Sequence, residues 1–226
     1  MKQYSKEKVY EVLTAQGVLP MFCHEDIYVC KSLLQAVYDA GARVVEFTNR
    51  KPNSLEVFNT LKKYADKKMP GLLLGAGTVM NVKEAKAFAK LDAGFIISPV
   101  IDKGVAKFCK EEKIFWCPGA ATLTEIVHAQ DLGAGLVKLV PAVQLGGPEF
   151  VKAVMAPCPW IKIMPTGGVN MEAENLLAWF QSGVKCVGIG SQLFSKDIIE
   201  NGKYDLVTMQ LSQMLQTVKA IRKEQQ

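Results

Sequence analysis

One unit is repeated along this chain: a short apolar run, then a stretch with helical spacing. The pair recurs eight times in 226 residues. The first half reads Gly17–Cys23 then Asp26–Ala40, Arg43–Arg50 then Ser54–Asp66, Gly71–Gly75 then Asn81–Leu91, and Phe95–Pro99 then Gly104–Glu111. The second half reads Ile114–Pro118 then Thr122–Leu132, Leu136–Val140 then Gly147–Ala156, Ile161–Met164 then Met171–Ser182, and Cys186–Ile189 before a closing helix over Asp205–Arg222. Gly, Pro or Asn marks most boundaries. Runs that are apolar throughout belong to parallel strands buried on both faces, and the intervening helices do the burying. Eight such units predict one closed (β/α)₈ barrel spanning residues 1–226, with an extra N-terminal helix over Ser5–Gln16 at one end. An open doubly wound sheet is the competing architecture, but no G-x-G-x-x-G follows the first strand.

Composition removes several function classes. The charge of +5 is spread thinly, with no dense Lys/Arg run beside aromatics, so nucleic acid is excluded as a partner while a small anionic substrate fits. No apolar run reaches membrane-spanning length, and the first residues lack the apolar segment of an export signal. The six cysteines show no C-x-x-C spacing and read as reduced core residues of a cytoplasmic protein. Two histidines leave little material for a metal site.

The chemistry is expected at the C-terminal ends of the strands. In the sixth run, Leu136–Val140, a single lysine, Lys138, stands among Leu and Val. An ammonium buried there must find a counter-ion or shed its proton, and a neutral amine in a dry pocket can attack a ketone to form a Schiff base. Lys162, in the middle of the seventh run, satisfies the same description, and the residues alone do not separate the two. On the second strand, Glu46, Thr48 and Arg50 fall at alternate positions, which places them on one face toward the barrel mouth. Glu46 and Arg50 either satisfy one another or serve a ligand, Arg50 being shaped to grip a carboxylate. Thr78 ends the Gly75–Thr78 turn, and Pro99 and Pro118 end the fourth and fifth strands. The segments Pro165-Thr166-Gly167-Gly168 and Gly188-Ile189-Gly190-Ser191 follow strands seven and eight, where barrels of this kind cradle phosphate on backbone N–H groups. His24, Glu25 and Asp26 form a weak metal cluster, with Asp26 doubling as a helix N-cap. Glu125 and His128 share a helix face and are expected to form a solvated pair.

Taken in order, Glu46-Phe47-Thr48-Asn49-Arg50, Gly75-Ala76-Gly77-Thr78-Val79, Ile97-Ser98-Pro99, Cys117-Pro118-Gly119, Val137-Lys138-Leu139-Val140-Pro141-Ala142, Pro165-Thr166-Gly167-Gly168 and Gly188-Ile189-Gly190-Ser191 resemble the 2-dehydro-3-deoxy-6-phosphogluconate aldolase / 4-hydroxy-2-oxoglutarate aldolase family. The resemblance implies a class I aldolase with no cofactor beyond a covalent imine on Lys138, and it resolves the tie with Lys162. It implies Glu46 as general acid/base, Arg50, Thr78 and Pro99 around the pyruvyl carboxylate, and phosphate contacts at Thr166, Gly167, Gly168 and Ser191. It also implies a homotrimer, and cleavage of a phosphorylated 2-keto-3-deoxy sugar acid to pyruvate and glyceraldehyde 3-phosphate, or of 4-hydroxy-2-oxoglutarate. Asn49, Lys51, Val100 and Val143 depart from the family's usual residues and flank the mouth, which leaves the sugar open. Phosphogalactonate-type aldolases share the core motifs. A phosphate-binding isomerase or synthase using Glu46 without a covalent intermediate is a rival enzyme, and a non-catalytic sugar-acid-phosphate binder is a rival of another class.

Overall fold

The computed structural model describes residues 4–224. Eight strands alternate with helices: β1 (Val18–Phe22), β2 (Val44–Thr48), β3 (Leu73–Gly77), β4 (Ile96–Ser98), β5 (Trp116–Ala120), β6 (Val137–Leu139), β7 (Ile163–Pro165) and β8 (Val187–Ile189). The helices are α1 (Lys6–Gln16), α2 (Ile27–Asp39), α3 (Ser54–Lys68), α4 (Val82–Ala89), α5 (Lys103–Glu111), α6 (Leu123–Asp131), α7 (Gly147–Met155), α8 (Ala173–Gln181), α9 (Lys196–Glu200) and α10 (Tyr204–Glu224). The strands are parallel, in the order β7-β6-β5-β4-β3-β2-β1-β8. A bridge between Thr166 and Gly188 brings β7 against β8 and closes the ring. The alternation therefore produces the barrel its spacing predicts.

Two hydrophobic layers hold it together. Alternate residues of the strands face inward: Leu19, Val44, Leu73, Phe95, Ile97, Phe115, Cys117, Leu136, Met164 and Cys186 fill the lumen, and Val9 and Leu13 of α1 plug its lower end. The other faces pack on the helices, with Val45, Phe47, Phe58 and Phe88 in the largest cluster. Each such side chain contributes about 1.5–3 kcal/mol on burial, and truncating Phe95 to Ala would cost roughly 3–5 kcal/mol. Helix starts follow local chemistry. Ser5, Asp26, Asn81, Asp102, Thr122 and Ser195 each accept a backbone N–H bond at an N-terminus. Gly17 ends α1 in the left-handed region, φ +77°, and donates back to the Leu13 carbonyl.

Several boundaries depart from expectation. The third strand runs to Gly77, because Gly75 and Gly77 are strand residues at close approaches rather than a turn. A side chain at Gly75 would overlap the Phe95 ring, and one at Gly77 would overlap the Glu46 carboxylate. The fifth strand likewise includes Gly119 and Ala120, with Gly119 packed against the Pro99 carbonyl. The second strand stops at Thr48, since the Arg50 N–H donates to the Thr48 carbonyl and turns the chain. The five-residue α9 lies in a stretch where no helix is expected.

Candidate active site

Lys138 sits on β6 with Val137 and Leu139 turned outward into the helix layer, so the pleat aims its side chain into the lumen. Only 6% of the residue is accessible. Directly across the barrel, β2 presents Glu46, which is fully buried. Lys138 Nζ lies 3.4 Å from Glu46 Oε2 and 3.7 Å from Met21 Sδ of β1. Glu46 Oε1 accepts no hydrogen bond among the described residues. Gly77, with no side chain, leaves the space that this carboxylate occupies. The lysine therefore has one counter-ion and a weak sulfur acceptor, and the carboxylate keeps a lone oxygen available for a ligand proton.

Cys117 lies in the same lumen, one strand from Lys138. Burial pushes its thiol well above the ordinary range, and the nearby Lys138 charge opposes this only in part. The thiol stays protonated, so it is a packing group and no rival nucleophile. Lys162 is separated from Lys138 by height. Strand register sets Lys138 level with Met164, so Lys162 falls below it, at the N-terminal end of β7, with its ammonium 4.6 Å from the Tyr10 ring centre of α1. The two lysines face different ends of the barrel.

At the mouth, Arg50 does not stack above Glu46 on the strand, as period-2 spacing predicts, because β2 has already ended. It is exposed, and its Nε donates to Thr78 Oγ1 at 3.3 Å. Two of the three carboxylate-binding candidates, Arg50 and Thr78, are thus brought together, and Glu46 is left to Lys138. Thr78 adopts φ +57°, an unusual conformation for a β-branched residue. A cleft of about 310 Å³ is lined by Arg50, Thr48, Met21, Thr166, Gly167, Gly168 and Ser191, among others. It joins both glycine loops to the Lys138 neighbourhood through Met21. Gly167 and Gly168 have φ +91° and +85°, which a side-chain-bearing residue would adopt only under strain. Val143 packs over Gly168, so any side chain there would also collide with it. Thr166 Oγ1 is buried without a hydrogen-bond partner among the described residues. Pro99 lies at the same end of the barrel, after β4, against Gly119 and outside the lining of this cleft.

The larger cavity, about 760 Å³, opens at the opposite end, among Leu73, Gly94, Ile114 and the Lys62–Asp66 pair. No candidate site residue lines it, and that end of such a barrel serves stability rather than chemistry. The remaining sequence candidates disperse into structural roles. Asp26 caps α2, the Glu25 carboxylate pairs with Lys51 at 3.4 Å, and the His24 ring accepts the Asp26 N–H. Among the described residues, no three His, Cys, Asp or Glu side chains form a group able to hold a metal. Glu125 does not pair with His128: it closes a capping box with Thr122, and hydrogen bonds from the Ala121 N–H and the Thr122 side chain hold its carboxyl below the usual range. Sequence reasoning missed Met21 and Gly77, since an all-buried strand carries no mark of which residue borders the lysine.

A model of the family described as "Aldolase: KDPG and KHG aldolase" matches residues 9–210. A 2-dehydro-3-deoxy-phosphogluconate aldolase from Dickeya dadantii (strain 3937) is 30% identical over 203 residues, covering 90% of this chain and 92% of the relative. A crystal structure of KDPG aldolase from Legionella pneumophila, with pyruvate captured as a covalent carbinolamine intermediate, superposes with a TM-score of 0.81 at 27% identity, over 90% of this chain and 96% of that one. A native KDPGal structure superposes with a TM-score of 0.80 at 26% identity, over 91% of this chain and 96% of that one.

Proposed function

This chain belongs to the KDPG and KHG aldolase family and is a carbon–carbon lyase; from that premise we propose that Lys138 is its Schiff-base lysine and Glu46 its general acid/base. The observation that carries this reading is the isolated pair itself, a lysine and a carboxylate 3.4 Å apart in an otherwise apolar lumen. Transfer of the ammonium proton to Glu46 frees the Nζ lone pair, which attacks C2 of the keto acid. Glu46, directly or through one water, then delivers the proton that lets the carbinolamine hydroxyl leave as water. The resulting iminium is the electron sink. Glu46, ionised again, takes the C4 hydroxyl proton directly or through the same water; the C3–C4 bond breaks, its electrons pass through C2 to nitrogen, and an aldehyde departs. Protonation of the enamine at C3 and addition of water release pyruvate and the free amine. A positioned acid/base of this kind contributes about 10²–10⁴-fold. No step calls for a metal.

Arg50, Thr78 and Pro99 are read as the carboxylate-binding edge, and Thr166, Gly167, Gly168 and Ser191 as the phosphate cradle. Support comes from the Arg50–Thr78 contact and from the two left-handed glycines lining the cleft. The Arg50 guanidinium, with no acidic partner among the described residues, suits a carboxylate, and backbone N–H groups suit a phosphate. The substrate is then a 2-keto-3-deoxy-6-phospho sugar acid, cleaved to pyruvate and glyceraldehyde 3-phosphate, with 4-hydroxy-2-oxoglutarate giving pyruvate and glyoxylate as a second reaction. The likeness to the KDPGal structure supports a galactonate-configured substrate as the competing assignment. We further read the protein as a cytoplasmic homotrimer: its six cysteines are free, and Tyr28, Trp160 and Met209 leave apolar surface for subunit contacts. Pyruvate release, followed across phosphorylated and free keto acids of both configurations, tests the assignment. Turnover of a phosphorylated gluconate-type acid well above the rest supports it, and pyruvate from none of them contradicts it.

A further inference from the structure

A carboxylate outside the reacting centre ties together the two loops that carry Arg50 and Thr78. Glu84, on the first turn of α4, accepts the Asn49 side-chain amide at 3.3 Å and the Met80 N–H at 2.8 Å on Oε2, and the Asn81 side-chain amide at 3.0 Å on Oε1. Asn49 directly precedes Arg50 in the loop between β2 and α3, and its own N–H donates to the Gly77 carbonyl at 2.8 Å. Met80 and Asn81 belong to the loop between β3 and α4, which holds Thr78 at φ +57°. A β-branched residue stays in that conformation only where its surroundings over-determine it, and such strain collects at ligand-binding positions. Helix capping explains the Asn81 contacts, since Asn81 Oδ1 accepts the Glu84 N–H at 3.0 Å. Capping does not explain Asn49, which reaches this carboxylate from the loop after β2.

We propose that Glu84, through Asn49, is a positioning residue for substrate: it locks the two loops so that the Arg50 guanidinium and the Thr78 hydroxyl form one carboxylate-binding edge. The inference rests on the carboxylate role given above to Arg50 and Thr78. The sign of the effect separates positioning from charge. A negative charge on the same rim opposes anion binding, so if Glu84 acted by charge alone, any neutral replacement would tighten the keto acid. If it positions, losing the tie weakens that binding despite the lost repulsion.

The test uses the full-length protein and compares Glu84→Ala, Glu84→Gln, Asn49→Leu and Arg50→Ala, with Glu84→Ala also made in the Arg50→Ala background. Steady-state kcat and KM are measured on the keto acid, together with pyruvate inhibition, the affinity for inorganic phosphate and thermal unfolding. Glu84→Ala and Asn49→Leu should each raise KM and the pyruvate inhibition constant about tenfold, with kcat within about threefold of the parent. Phosphate affinity should not move. Glu84→Gln, with its amide oxygen in the place of Oε2, keeps the acceptor for both the Met80 N–H and the Asn49 amide and loses only the Asn81 side-chain contact, so it should stay near the parent. Asn49→Leu leaves the α4 cap intact, so its KM effect should come without loss of melting temperature. In the Arg50→Ala background, Glu84→Ala should add little. A large Arg50→Ala effect with unchanged KM in Glu84→Ala and Asn49→Leu overturns the positioning role alone. So does a parallel loss of phosphate affinity, or tighter pyruvate binding in both Glu84 variants. An Arg50→Ala variant that binds pyruvate like the parent overturns the carboxylate reading, and the positioning role with it.

Discussion

Lys138 and Glu46 meet across the full width of the barrel, from β6 to β2, with 3.4 Å between Nζ and Oε2 and with Oε1 of the same carboxylate unpartnered. A buried ion pair of this kind adds little net stability, because desolvation offsets most of the attraction. Its value is chemical. Glu46→Gln keeps the shape and removes the proton acceptor, so kcat should fall about 10²–10⁴-fold while the protein still folds. Full activity in Glu46→Gln, checked by pyruvate release, would remove Glu46 from the mechanism.

Gly77 supplies the second prediction. A methyl group at this position would overlap the Glu46 carboxylate. Gly77→Ala should therefore displace Glu46 rather than unfold β3, whose backbone there is ordinary extended strand. Activity should drop about tenfold or more, corresponding to ~1.4 kcal/mol or more of transition-state stabilisation. Far-ultraviolet circular dichroism should match the parent, and an unchanged kcat would show that Glu46 tolerates displacement.

Charge at the glycine loops should discriminate between substrates. Ser191 is exposed on the wall of the cleft, so Ser191→Asp avoids the strain that any substitution at Gly168, φ +85°, would bring. A carboxylate about 4 Å from a phosphate near the surface costs several kcal/mol before relaxation and screening, and much less after. KM for a phosphorylated substrate should rise about tenfold or more, and KM for 4-hydroxy-2-oxoglutarate far less. Equal shifts for both would make the loops structural.

Burial of thiols predicts how stability responds to alkali. Burial pushes Cys30, Cys109 and Cys186 from 9.0 up to about 12. As pH rises from about 9 to about 12, the unfolded chain releases these protons while the folded chain keeps them, so stability falls with rising pH. Below pH 9 the same groups contribute no slope. A melting-temperature profile should fall through this window, and Cys109→Ala should flatten it. An equal slope in that variant would assign the alkaline loss to other groups.

The barrel was legible because parallel strands buried on both faces must be apolar throughout, and α2, α4, α5 and α6 between them start on side-chain caps. Height within the barrel was not legible. Lys138 and Lys162 both stand mid-run, and only the pairing of Lys138 with Met164 shows that Lys162 lies lower, against Tyr10. The displacement of Arg50 from the Glu46 face has a related cause. Alternation holds only while the strand lasts, and the Arg50 N–H ends β2 by turning back to the Thr48 carbonyl. The tie from Glu84 to Asn49 joins side chains 35 residues apart through two loops, and no periodicity encodes a contact of that kind.

The most direct test of the account is where pyruvate attaches. Borohydride added with pyruvate should reduce the imine and leave one pyruvyl adduct per chain, on the peptide carrying Lys138. Lys138→Ala should abolish adduct and turnover together, and Lys138→Arg should fail equally, since a guanidinium does not deprotonate to a nucleophile in a protein. Lys162→Ala should trap normally. An adduct on Lys162, or no adduct from an enzyme that is turning over, would contradict the Schiff-base assignment.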